Sequence, residues 1–465
     1  MALANLPHEL LDIIVEYSLP QSFEHLATTC KRIYSRCTTF IKRHNELRSR
    51  FRDFLYWAHK RDSLVAASDL IHLIAADPMV ARYIRSANLM DDSRFLSRPR
   101  VRGEPPKSVP SIDDGGVVVQ LFANSTYLRR AQLDWREYYS TFAEDVGEMR
   151  YSQHGSAFLL TLLSDTEDLS IPRSWEPNAA TNQLLDVLAK EAQQSCFLSS
   201  GLRSVTSFLG SLSRAETEPE NWGLSWARPF LALPHLKSFS GPGSLAVGEN
   251  PRTLAFRGSP HIADTLEAAH LCSCWIDDVG ITDLLKHTPR LKTLIYSHRA
   301  QHDYHPPDWD ICKFINAVAR EAGSHLIQFS VEILELRGSI LPGKASTRSF
   351  QKLKKFEFPL KLVMCNINAA GVTGNIATSL QYFFNGSRDP FVRDLIPPSV
   401  THLSLKSEGI GPYDKALDAL FRHFRAVADN AYKQQCNKIV AEGGREGVVV
   451  HLEAYEYSGG LDWDG

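Results

Sequence analysis

The stretch Leu6–Ile14, Leu-Pro-His-Glu-Leu-Leu-Asp-Ile-Ile, decides how the first part of the chain folds. Pro7 suits the first position of a helix, because its φ is preset and it has no N–H group to satisfy. Glu9 and Asp12 bring negative charge to the first turns, where the helix dipole favours it. The apolar residues that recur at helical spacing are Leu10, Leu11, Ile14 and Tyr17. The pattern predicts an amphipathic helix that is stopped by Pro20.

Two further helices are predicted after this first one. A second run begins behind Ser22, a suitable N-cap, and carries an apolar stripe as far as Tyr34. A third, basic run extends from Thr38 towards Trp57, and its arginines and lysines are expected to form a solvated helix face rather than a nucleic-acid site. A small cluster of helices with so many apolar side chains must bury them against the rest of the chain or against a partner.

The ordered series over Leu6–Tyr17 and Phe23–Tyr34 resembles an F-box, and the resemblance extends from about Leu3 to His44. Tyr34 stands where many members of the family have Trp or Leu. The resemblance implies a trihelical module that docks on the Skp-family adaptor of a cullin-based ubiquitin ligase. The adaptor contacts that it implies are Leu6, Pro7, Leu10, Ile14, Leu26 and Cys30.

Composition limits the classes of function that are plausible for this chain. The 465 residues suffice for two or three ordinary domains, or for a small module followed by a long repeat array. A net charge of −2 gives no electrostatic reason to expect nucleic-acid or membrane binding. We expect no signal peptide and no membrane span, eight reduced cysteines, and therefore a cytoplasmic or nuclear location.

After the N-terminal helices, the chain repeats a helix, a turn and a short strand of the form apolar-x-x-apolar-x-apolar. The strand patterns begin at Ile84, Thr166, Leu266, Leu291, Val331, Leu353, Val400 and Val449, with a truncated copy at Leu236 and a doubtful one at Leu202. Such units, stacked in order, predict an α/β fold in which an irregular leucine-rich-repeat solenoid carries a parallel sheet on its concave face. The spacing is uneven and the usual Asn is missing, which resembles the degenerate repeats of fungal F-box proteins. The alternative is that such triplets arise by chance in another α/β protein.

The expected domain layout follows from these patterns. It comprises an F-box at 1–48, linking helices at 49–78, a repeat solenoid at 79–456 with a loop insertion at 98–116, and a flexible tail at 457–465.

A solenoid of this kind would present the residues that flank its buried strand positions to a partner. The client-binding residues that this register implies are Lys292, Ile295, Glu335, Arg337, Glu357, His402, Ser404 and Lys406. Charges of both signs favour a protein partner over a polyanion. A one-residue slip of register would invert the assignment.

Catalytic and metal chemistry find little support in the sequence. His270, Cys272 and Cys274 lie close together, but Cys-x-Cys lacks the usual two-residue spacer and has no second ligand pair at a finger-like distance. In a strand, both cysteines should point to the same face, and we interpret them as structural. The chain has no Walker lysine, nucleophile elbow or His-Glu-x-x-His pair. We therefore expect no catalytic residue, no metal and no cofactor.

The resemblance implies a non-catalytic substrate receptor of an SCF-type ubiquitin ligase, with a Skp-family adaptor, a cullin scaffold and an unknown client protein as partners. Two alternatives remain open. One is an F-box scaffold or interaction protein without a role in degradation. The other is a metal-dependent or hydrolytic enzyme with a helical cap.

Overall fold

The computed structural model divides the chain into two compact units. The first comprises Met1–Ser211 and Ala232–Leu236, and the second comprises Leu212–Leu231 and Lys237–Gly465. The residues that the structure describes are 3, 6–56, 64–92, 111–194, 200–210, 224–241, 245–246, 262–299, 308–336, 340–341, 343–359, 362, 397, 399–407 and 449–454. The predicted loop insertion, for the most part, and the predicted tail lie outside these residues.

The first unit begins with three helices and continues with alternating strands and helices. Its elements are α1 (His8–Ser18), α2 (Phe23–Ala27), α3 (Lys31–Phe51), β1 (Asp53–Leu55), α4 (Ala67–Ala76), α5 (Met79–Tyr83), β2 (Ser86–Asn88), α6 (Val117–Ala123), α7 (Thr126–Arg130), α8 (Trp135–Gly147), α9 (Gln153–Leu160), β3 (Asp168–Ser170), α10 (Ala179–Gln194) and β4 (Ser207–Leu209).

We call α1–α3 the helical module. Its core is built by apolar residues from all three helices: Val15, Leu19, Phe23, Ala27, Ile33 and Cys37. The prediction of one continuous second helix was wrong, because α2 ends at Ala27. Thr28 and Thr29 donate hydrogen bonds from their hydroxyls back to carbonyls of α2, and Cys30 is extended with φ −162°. Side chains that bond back to the backbone in this way compete with continuation of a helix.

Both bounds predicted for the third helix, from Thr38 towards Trp57, were too late, since α3 begins at Lys31. It ends at Phe51, and the next residues form the strand β1, inside the segment 49–78 that the sequence assigned to linking helices. Phe51, Phe54 and Tyr56 are all buried, so this strand is a further copy of the apolar-x-x-apolar-x-apolar pattern. The helical module is therefore joined to the first strand with a single residue, Arg52, between them.

The four strands of the first unit form a parallel ladder in the order β1-β2-β3-β4. Their central residues are aligned and buried: Phe54, Ala87, Leu169 and Phe208. The patterns predicted at Ile84 and Thr166 are confirmed. The copy at Leu202 was shifted by three residues, since the buried pair in that strand is Val205 and Phe208.

The second unit also contains helices and strands. They are α11 (Arg228–Leu231), β5 (Ser238–Gly241), β6 (Leu245–Ala246), β7 (Ala268–Ile276), α12 (Asp278–Lys286), β8 (Thr293–Arg299), α13 (Ile311–Ala322), β9 (Gln328–Glu335), β10 (Lys355–Pro359), β11 (His402–Ser407) and β12 (Val449–Ala454). The strands pair in parallel in the order β5-β7-β8-β9-β10-β11-β12, and β6 pairs with β7. A mixed α/β fold with parallel strands, as predicted, is confirmed.

The register of β9 corrects one prediction. The sequence placed Val331, Leu334 and Leu336 in the core, but the buried apolar residues of this strand are Phe329, Val331 and Ile333, and Leu334 is 48% exposed. Leu326, in the connection between α13 and β9, is also buried, so the unit begins five residues earlier than predicted.

One backbone hydrogen-bond pattern recurs from strand to strand. Two consecutive N–H groups donate to the same carbonyl oxygen, which belongs to the residue at the equivalent position of the preceding strand. Examples are Lys292 and Thr293 to Glu267, and Ile327 and Gln328 to Lys292. The same geometry returns at the accepting carbonyls of Arg52, Arg85, Glu167, Lys237, Ile327 and Lys354. The strands are therefore stacked as equivalent units within each part of the chain.

A bulge interrupts the ladder between β7 and β8. The register shifts between Leu271 and Cys274, and Ser273 has a positive φ of 53°. The extra residue turns Cys274 into the core while Cys272 stays half-buried. The expectation that both cysteines point to the same face was therefore wrong.

The Tyr296 hydroxyl bridges the ladder where the bulge breaks it. It accepts a hydrogen bond from the Ile276 N–H (3.1 Å) and donates to the Cys274 carbonyl (3.1 Å), and it lies 3.0 Å from Nδ1 of His298. His298 is buried and stacked on Trp309 with ring centroids 3.9 Å apart. Burial lowers the pKa of His298 to about 3, so this histidine is neutral near pH 7.

Replacing Tyr296 with phenylalanine is expected to lower the free energy of unfolding of the second unit by about 1–3 kcal/mol. The substitution keeps the ring but leaves the buried Ile276 N–H and Cys274 carbonyl without this partner. Hydrogen exchange of the β8 amides in denaturant measures the loss. Tyr34→Phe, at an exposed tyrosine, is the matched control; an equal effect in both variants would contradict the bridging role.

Candidate interaction surfaces

One face of α1 is apolar and exposed. Leu11 and Val15 are buried in the helical module, whereas Leu10, Ile13 and Tyr17 on another face are 46%, 48% and 76% exposed. We call these three residues the apolar stripe. Their spacing of three and four residues places them side by side along the helix. A contiguous apolar row on a folded surface is typical of an interaction site.

The residues that the resemblance implied as adaptor contacts differ in accessibility. Pro7 and Leu10 are exposed, and Leu6 and Ile14 are half-buried. Leu26 and Cys30 are half-buried and pack against the core of the helical module. Ile13 and Tyr17 are absent from the implied set, although they are more exposed than any of its half-buried members.

Two basic residues of α3 form ion pairs with the other helices of the module. Arg36 forms an ion pair with Asp12 of α1, and Arg48 forms one with Glu24 of α2. The hydrogen bond from Arg36 lowers the pKa of Asp12 and raises that of Arg36. Each of these two arginines thus connects α3 to another helix of the module that carries the apolar stripe.

Further contacts fix the helical module to the rest of the first unit. Arg43 pairs with Asp77 at the end of α4 (2.8 Å), and Nδ1 of His44 lies 2.8 Å from the Tyr83 hydroxyl of α5. The Gln21 amide donates to Asp165, which precedes β3 (2.7 Å). His44 is buried beside the Phe23 ring, and burial lowers its pKa.

A row of mostly polar side chains crosses the strands of the second unit on the face opposite their apolar core residues. In register order these side chains are Ser240, His270, Ile295, Ser330, Glu357 and Ser404, and we call this row the open face. Ser330 donates to the Glu357 carboxylate (2.8 Å). Beside the row, Ser297 donates to Glu332 (3.4 Å) and Arg299 pairs with Glu335 (3.3 Å). Hydroxyls and charges of both signs therefore pair across neighbouring strands.

The predicted client-binding residues fall at different depths on this sheet. Ile295 and Glu357 are half-buried in the open face, Glu335 is half-buried in its ion pair, and Ser404 is buried. The exposed ones are Lys292, whose ammonium pairs with Glu267 (2.5 Å), and His402, which lies beside the Thr401 hydroxyl. Arg337 lies outside the described residues, as does the side chain of Lys406.

The cluster around His270 has no metal-binding arrangement in the described part of the chain. Across those residues, no group of three or more histidine, cysteine, aspartate or glutamate side chains is placed to hold a metal ion. Burial raises the pKa of the Cys272 thiol, which disfavours the thiolate. Cys272 and Cys274 thus act as strand residues in this geometry.

No protein-family model matches the sequence, and no curated protein is significantly similar to it. Among the helices of the described ranges, none has the length and apolar character needed to cross a membrane.

Proposed function

We propose that this chain is an F-box protein that serves as a substrate receptor of an SCF-type ubiquitin ligase. In this proposal the helical module docks on a Skp-family adaptor, which links it to a cullin scaffold. The parallel strands and their helices form an irregular leucine-rich-repeat solenoid that holds the client protein. The chain itself is non-catalytic and works in the cytoplasm or the nucleus.

The observation that carries the proposal is the apolar stripe on α1. The stripe lies within the stretch whose sequence resembles an F-box, and Leu10 belongs both to the stripe and to the contacts implied by that resemblance. Burying three large apolar side chains on a partner would remove them from water, which favours association. The ion pairs of Arg36 and Arg48 support a preformed docking surface, so little ordering is needed on binding.

The open face and the charged residues beside it favour a protein as the client. The exposed residues Lys292 and His402 and the charged pairs beside the row offer hydrogen-bonding and charge complementarity of both signs. A receptor that holds client and adaptor together raises the effective concentration of client lysines near the ubiquitin-conjugating enzyme.

Affinity capture from a cell lysate tests the proposal. The wild-type chain is expected to retain a Skp-family adaptor and a cullin, and Leu10→Asp/Ile13→Asp is expected to lose both. Val117→Asp, at an exposed apolar residue of α6, is the matched control and should capture the adaptor normally. Capture of no adaptor by the wild type would contradict the proposal.

The alternative scaffold function is separated by following client abundance. For a substrate receptor, proteins that both versions capture should accumulate in cells carrying the double variant in place of the wild type. An F-box scaffold without a role in degradation would lose the adaptor in that variant, but the levels of its clients would not change.

A further inference from the structure

Asp92 joins three segments of the first unit from a buried position. It follows β2 closely, and only 3% of its surface is exposed. One carboxylate oxygen accepts a hydrogen bond from the Ala67 N–H at the start of α4 (3.1 Å). The other accepts from the Ser156 hydroxyl of α9 (2.8 Å). The carboxyl group is thus the point at which α4, α9 and the end of β2 are held together.

The surroundings of Asp92 do not balance a negative charge. In the described part of the chain Asp92 takes part in no ion pair. The titratable groups found to interact electrostatically with it are a carboxylate and two phenols. They are Asp69 of α4, Tyr56 after β1 and Tyr151 before α9. The Tyr56 hydroxyl is also buried and has no hydrogen-bond partner among the described residues. A neutral Asp92, by contrast, leaves no buried charge and gains an O–H donor in a region with an unsatisfied hydroxyl.

We propose that Asp92 is a protonation-controlled clasp of the first unit. The neutral side chain keeps the N-terminus of α4 closed against α9. Ionisation favours a locally open state in which the carboxylate reaches water. The clasp does not depend on adaptor binding, so its test is independent of the proposed function.

The direction of the pH effect follows from burial. Desolvation raises the pKa of Asp92 from 3.8 to about 7 in the closed state, although the hydrogen bonds from Ser156 and Ala67 oppose the shift. A raised pKa means that the closed state binds the proton more tightly than the open state. The stabilisation is therefore complete below pH 4 and is lost progressively as the pH rises towards 7.

The segment that Asp92 holds in place also contacts the helical module. Asp77 at the end of α4 pairs with Arg43, and Tyr83 of the following α5 lies against His44. Opening of α4 would loosen both contacts with α3. A change of pH near neutrality would then alter the stability of the contacts between the helical module and the rest of the first unit.

Hydrogen exchange of the full-length chain between pH 5 and pH 8, corrected for intrinsic exchange rates, tests the proposal. The opening constant measured at the Leu70 and Ile71 amides of α4 is expected to rise with pH, by up to about tenfold per pH unit below pH 7. Asp92→Asn should abolish this rise. Asp69→Asn is the matched control, since Asp69 also accepts a backbone hydrogen bond, from the Val65 N–H, but is only half-buried, and it should keep the rise.

A second variant keeps the proposal testable if Asp92→Asn fails to fold. Ser156→Ala removes a hydrogen bond that favours the ionised form, so the pH at which the opening constant levels off should move upwards. A pH-independent opening constant in the wild type, an unchanged slope in Asp92→Asn, or an unchanged midpoint in Ser156→Ala would each overturn the proposal.

Discussion

Under the docking proposed above, replacing Leu10 and Ile13 together with aspartate is expected to weaken binding of the Skp-family adaptor by about 100-fold or more, with little change in melting temperature. Both side chains lie on the exposed apolar stripe, so aspartate is solvated in the free chain. In the complex, each carboxylate would be buried against an apolar partner surface, which is costly. Titration of the purified variant with the purified adaptor measures the loss.

The control for this variant is Val117→Asp, which adds the same charge at a residue that is 56% exposed in α6. It should bind the adaptor with wild-type affinity. Equal binding by Leu10→Asp/Ile13→Asp and the wild type would place the adaptor contact elsewhere. A lowered melting temperature would instead indicate that the stripe supports the fold.

Phe329→Ala is expected to lower the free energy of unfolding of the second unit by about 3–5 kcal/mol, the largest stability effect that we predict for a single substitution. The Phe329 ring is fully buried and stacks on Phe356 of the next strand, with centroids 5.7 Å apart and planes 15° apart. It also lies 5.7 Å from the Phe350 ring. Its loss would open a cavity between two strand units, and urea denaturation measures the effect.

Ile327→Ala provides the comparison for Phe329→Ala, because Ile327 lies two residues earlier and is 40% exposed. Its expected cost is well under 1 kcal/mol. If the two variants were equally stable, the register of β9 described above would be wrong and Phe329 would not be a core residue.

The repeating units could be predicted from sequence where the pattern apolar-x-x-apolar-x-apolar fits the segment in one position. The unit around Leu291, Leu294 and Tyr296 is such a case, and its three residues are buried as expected. Around β9 the pattern fits twice, as Leu326-x-x-Phe329-x-Val331 and as Val331-x-x-Leu334-x-Leu336, so the sequence allows two registers. Only the pairing with neighbouring strands decides between them.

Strand β1 was predicted as helix for a second reason. Phe51, Phe54 and Tyr56 carry the repeat pattern, but they follow a basic helix without a glycine or proline to mark the boundary. The helical periodicity therefore extended the predicted helix through them. The bulge at Ser273 was unpredictable for another reason, since a positive φ at serine depends on tertiary context.

The candidate site was predictable in part. The motif resemblance identifies Leu10, which is exposed, but it also selects Leu26 and Cys30, which pack against the core of the helical module. Ile13 and Tyr17 lie three and seven residues after Leu10, on the same side of a helix, so this part of the stripe could be predicted from the sequence. Asp92 was not, because its role depends on contacts with Ala67 and Ser156, which are distant in sequence.

The most direct test of the adaptor-docking proposal is photo-crosslinking from the apolar stripe. A photo-crosslinking amino acid replaces Tyr17, which is 76% exposed at the end of the stripe, and a second chain carries it at Val117. The proposal predicts a one-to-one crosslink to the Skp-family adaptor from position 17 and none from position 117. Absence of that crosslink from position 17, with a chain that remains folded, would contradict it.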